Sequence, residues 1–205
     1  MQGSGHEHRW TSKIRENFHA QDRHCLFCQT VRHFCFTFAK VNQAILDTML
    51  EHITNLSQEE KNLILHAPMY VSVLIAGADG EINETEKHRI LELIHTKTFS
   101  EKYELRELYQ TLDSGAQLEL RELIAALPED RDERNQYLSD MLARLNSVLP
   151  KLEHRFQLHF YKSLRQFAHY IATADGGFWG VGALKHSEAE YVKLPMIHNP
   201  GEQEA

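Results

Sequence analysis

Two six-residue stretches decide how this chain is read. They are Ile75-Ala76-Gly77-Ala78-Asp79-Gly80 and Ile171-Ala172-Thr173-Ala174-Asp175-Gly176. Five of the six positions are identical, and each stretch closes a long run with apolar residues at helical spacing. Reading back from them, Val71 aligns with Phe167 and Ile64 with Phe160, so the apolar faces match as well. Reading forward, Asn83-Glu84-Thr85-Glu86 corresponds to Ser187-Glu188-Ala189-Glu190. Each is a cap residue followed three positions later by Glu, the grammar of a helix start. The unit is therefore helix, Asp-Gly turn, helix, used twice. The first copy crosses its turn through Glu81 and Ile82, whereas the second inserts Gly177 to His186.

Outward from the repeat, the chain reads as all-α. Ser57 and Glu60 form a Ser-x-x-Glu capping box. Leu63, Ile64, Ala67, Tyr70, Val71, Leu74, Ile75 and Ala78 follow at helical spacing, with Pro68 expected to kink or break the run. Further helices are expected from Asn83 to about Thr96, from Ser100 through Leu112, and from a Ser114/Gln117 cap through Leu127. A long one should start at Asp130/Glu133 and run to Val148, with Pro150 as its stop. The last long helix should cover Lys151 to Ala174, with a short one after Ser187. No useful strand alternation occurs, and strong helix formers dominate. Three regions result: a partly helical N-terminal extension over 1–48, a helical domain over 49–194, and a flexible tail over 195–205.

Composition narrows the function classes. The chain has 205 residues, 42% hydrophobic and 25% charged, which fits one globular domain rather than disorder. A net charge of -7 disfavours a phosphate backbone as partner. No apolar run is long enough for a membrane span, and Met1 to His24 lacks an apolar leader segment. Cys25, Cys28 and Cys35 are three in one short stretch, not a disulfide framework. A cytoplasmic setting is the expectation.

The carboxylates carry the chemical argument. Asp79 and Asp175 sit where helices end, and a negative charge there opposes the helix dipole. A divalent cation shared with Glu86 and Glu190 would compensate, and hard ions such as Ca²⁺ or Mg²⁺ take such oxygen ligands. The plainer reading is that Gly80 and Gly176 end helices while Glu86 and Glu190 complete caps. Two matching copies in one chain favour the shared metal site.

The stretch from Ile75 to Glu86 resembles the signature of the TerB-like tellurite-resistance family. That signature has an Ala-Asp-Gly, an Ile or Val two residues on (Ile82), and a Glu opening the next helix (Glu86). Ile171 to Glu190 is similar to the family's later segment, and the resemblance spans roughly 57–194. It implies an all-helical, pseudo-symmetric, non-enzymatic protein linked to tellurite resistance and stress, acting with protein partners. The implied metal ligands are Asp79, Glu86, Asp175 and Glu190, with Glu84 and Glu188 in second line. The longer second turn departs from the first, which bears on how Glu190 sits relative to Asp175.

Other motifs read weaker. Asp79 to Glu86 fits the back of an EF-hand loop, but Ile75 and Gly77 stand where oxygen ligands belong. Cys25-x-x-Cys28, near His24, His33 and Cys35, makes one zinc knuckle with no second pair at the usual spacing. The Gly-rich stretch Gly176 to Ser187 follows a helix and lacks Gly-Lys-Ser/Thr, so it is not a phosphate loop. No general base is evident, which ranks a metal-assisted hydrolase last, behind a metal-free helical interaction module.

Overall fold

The structure is a computed structural model, and it describes residues 53–80, 82–174 and 191–202, with 79 and 174 as backbone only. The N-terminal extension with its three cysteines lies outside the described residues. So do Asp175, Glu188, Glu190, the Gly-rich stretch and the short helix expected after Ser187. Among the described residues the chain is all-helical, with no strand. The order is α1 (Gln58–Ala76), a 3-10 turn (Gly77–Asp79), α2 (Glu84–Ser100), α3 (Tyr103–Ala126) and α4 (Arg131–Ala143). A single turn, α5 (Leu145–Val148), a 3-10 turn (Leu149–Lys151) and α6 (His154–Ala174) follow.

Helix α1 is the centre of the core. Every residue from Leu63 to Ala76 is buried except Tyr70. A helix apolar all round has no solvent face and is enclosed by its neighbours, and α3, α4 and α6 pack on α1. Spacing alone gives it one apolar face. The Ser57–Glu60 capping box forms as expected, each side chain bonding the other's backbone N–H. Pro68 does not end the helix, which continues unbroken to Ala76. Ser72 Oγ donates to the Pro68 carbonyl at 2.8 Å.

Three expected boundaries move. Helix α2 runs on to Ser100, and α3 begins at Tyr103, with Lys102 as its cap residue. Helix α3 is continuous where Ser114 was expected to cap a new helix. Ser114 Oγ donates back to the Thr111 carbonyl at 2.7 Å, an intrahelical bond compatible with continuing. Gly115 serves packing there: a Cβ on it would lie 2.6 Å from Glu119 Oε1. Glu119 folds over this gap toward His66 of α1, 3.3 Å away. The helix capped by Asp130 stops at Ala143 rather than Val148, with α5 as a separate turn.

Helix α6 is amphipathic: Phe156, Phe160, Leu164, Phe167 and Ile171 are buried at helical spacing. The segment from Pro195 to Glu202, read from composition as frayed, lies against the bundle. Ile197 and Pro200 are buried. Asn146 ties the backbone there, donating to the Met196 carbonyl at 2.9 Å and accepting from His198 N at 2.8 Å. No helix among the described residues is long and apolar enough to cross a membrane.

Candidate functional site

The Ala-Asp-Gly stretch of the first unit forms a tight stop. The Gly77 N–H closes the last turn of α1 onto Val73 and Ile75 carbonyls, and the chain tightens into a 3-10 turn. Gly80 then takes φ 146°, a conformation that L side chains rarely adopt. Its N–H bonds the Gly77 carbonyl at 3.2 Å. Two residues on, Asn83 starts α2 with a complete capping box. Asn83 Oδ1 accepts from Glu86 N at 3.0 Å, and Glu86 Oε2 accepts from Asn83 N at 2.7 Å.

This geometry locates three of the residues named from sequence. Asp79 ends the 3-10 turn. Glu86 is buried, and its carboxylate is fixed by the cap. Glu84 is exposed and bonds Lys87 Nζ at 2.7 Å. Among the described residues, no group of three or more His, Cys, Asp or Glu is placed to hold a metal ion. Replacing Asn83 with alanine removes an N-cap acceptor and loosens Glu86. It should lower unfolding free energy by about 1 kcal/mol, read as a shift in urea midpoint at constant slope.

One residue of the site was not singled out from sequence. Arg134, on α4, reaches across to the first turn. Its Nη2 donates to the Gly77 carbonyl at 2.8 Å and also to the Gly80 carbonyl. A Cβ on Gly77 would sit 3.3 Å from the guanidinium nitrogens, so glycine there lets Arg134 approach. Burial lowers the Arg134 pKa, Arg131 adds to that, and Asp130 opposes it. The group nevertheless stays protonated, as guanidinium does in proteins. The C-terminal pole of α1 is thus met by a cation from the same chain. Arg134 lies in the run Arg131-Asp132-Glu133-Arg134, which reads as a solvated helix start. Its contact spans 57 residues, and no local spacing signals it.

The two helices that carry the repeats begin side by side. Lys151, just before α6, bonds Glu60 in the first turn of α1. Helix α1 packs more extensively on α6 than on any other helix. They have similar lengths, 19 and 21 residues, so both run toward the same end of the bundle. Their aligned positions are all buried: Ile64 with Phe160, Val71 with Phe167, Ile75 with Ile171.

A second polar cluster lies where α2, α3 and α6 meet. Lys97 donates to Glu101 and, at 2.6 Å, to Gln166 Oε1. Ser163 Oγ donates to Glu101 Oε1 at 2.7 Å. That commits its only proton, so the Tyr109 hydroxyl, 2.7 Å away, donates to Ser163. Burial raises the Tyr109 pKa, which keeps it a phenol. Burial also pushes the Glu101 pKa up, but hydrogen bonds from Lys97 and Ser163 outweigh it and hold the carboxyl below its ordinary value. Every member is paired, as a rigid structural joint requires. No protein-family model, curated protein or solved structure matches this chain.

Proposed function

We propose that this chain is a non-enzymatic, TerB-like stress protein. In this reading two pseudo-symmetric helix–turn–helix units contribute Asp79, Glu86, Asp175 and Glu190 to one divalent-cation site. The observation that carries the reading is the common direction of α1 and α6. The repeat-bearing helices start together at the Glu60–Lys151 pair and bury matching faces. A second unit built like the first then delivers its acidic turn to the same end. Glu86 enters such a site as a pre-oriented carboxylate, because its cap already fixes it. Calcium and magnesium suit this all-oxygen set. A cytoplasmic setting and a protein partner belong to the same reading.

A second reading rests on Arg134. The cation that the first Asp-Gly turn calls for is present within the chain, and a metal-free helical interaction module needs no other. Thermal unfolding separates the two. A metal-stripped sample should gain Tm when the right ion is added among Ca²⁺, Mg²⁺, Mn²⁺ and Zn²⁺. A hundredfold excess over Kd corresponds to about 2.7 kcal/mol. The Asp79→Asn/Asp175→Asn double variant should show no gain. No shift with any ion in the wild type selects the metal-free module.

A further inference from the structure

We infer that Arg134 is an intramolecular competitor for a divalent ion at the first Ala-Asp-Gly turn, setting how tightly that turn takes an ion from solution. The inference rests on the shared-site reading above. Hard cations take backbone carbonyls as well as carboxylates, and the Gly77 and Gly80 carbonyls are the ones that the turn offers. Arg134 Nη2 already bonds both. Its Nε is buried with no hydrogen-bond partner among the described residues, so the guanidinium is held at the turn rather than swung into solvent. A divalent ion drawn to Asp79 meets this positive charge at close range, where like charges repel in a medium less polar than water. Ion binding and the Arg134 clamp therefore exclude one another. Helix α4 carries Arg134 and packs on both α1 and its turn, so displacing the side chain loosens α4 from the turn. The site thereby couples ion occupancy to the seating of one helix.

The test is calorimetric titration of the full chain with Mn²⁺ and with Ca²⁺, for wild type, Arg134→Gln and Arg134→Lys. Arg134→Gln should bind about tenfold or more tightly, the charge being gone. Arg134→Lys keeps the charge but not the two-carbonyl reach, and should fall between. If Arg134→Gln does not fold, tighter binding by Arg134→Lys supports the inference and unchanged or weaker binding overturns it. Equal or weaker binding by Arg134→Gln overturns the competition while leaving the cation site intact. Binding by none of the three chains overturns the cation site and the competition together.

Discussion

Truncating Phe167 to alanine is expected to cost about 3–5 kcal/mol of stability, the range for an aromatic side chain lost from a packed core. Phe167 is fully buried on α6. Its ring stacks on Tyr109 of α3, centroids 5.7 Å apart and planes 10° from parallel. Lys97 of α2 sits over the same ring, 5.8 Å from its centroid. One side chain thus joins three helices, and neighbours tied to a hydrogen-bonded cluster collapse poorly into the space left. Urea unfolding measures the loss. Phe99→Ala is the control, because Phe99 is 72% exposed and its removal should change stability by under about 0.5 kcal/mol.

Replacing Lys97 with methionine should be comparably damaging, about 3–5 kcal/mol, because breaking a buried pair leaves the other charge uncompensated. Lys97 is buried, and the Glu101 side chain beside it is 9% exposed. Adding Glu101→Gln removes the stranded charge and should recover part of the loss. Recovery by the double variant is the signature of a charge effect rather than of lost packing. The pH dependence has a definite sign. The Glu101 pKa is lower in the folded state than in the unfolded chain. Its contribution is therefore complete above the ordinary carboxyl value of roughly 4.3 and fades as pH falls through the lower folded value. Because the protein loses this term on acidification, the deficit of Lys97→Met relative to wild type should narrow there.

Much of the architecture was legible in the sequence because it is written in local chemistry. Ser57/Glu60, Asn83/Glu86 and Asp130 announce helix starts through side chains that bond backbone only two or three residues away. Alternation of polar and apolar residues marks α6. What the sequence hid depends on partners distant along the chain. Spacing on α1 suggested one apolar face, yet the helix is surrounded, and only packing by α3, α4 and α6 decides that. Ser114-Gly115 looks like a break, since both residues favour helix ends. The compensating fact is Glu119 folding over Gly115 toward His66. Arg134 is the largest omission at the candidate site. The requirement for a positive charge at the Asp79 turn was argued from the helix dipole. That a guanidinium from α4 would meet it is a tertiary fact. Lys97, Glu101, Ser163 and Tyr109 stand far apart in the sequence and share no motif.

The central claim is that the two Asp-Gly turns face one another at one end of the bundle. A distance between them tests it most directly. Spin labels at Asp79→Cys and Asp175→Cys, in a chain with Cys25, Cys28 and Cys35 changed to serine, allow a dipolar measurement. Two carboxylates on one ion lie within about 5 Å of each other, and label arms extend that to an expected separation under roughly 20 Å. A separation near 30 Å or beyond, about the length of α6 at 1.5 Å per residue, would place the turns at opposite ends and contradict a shared site.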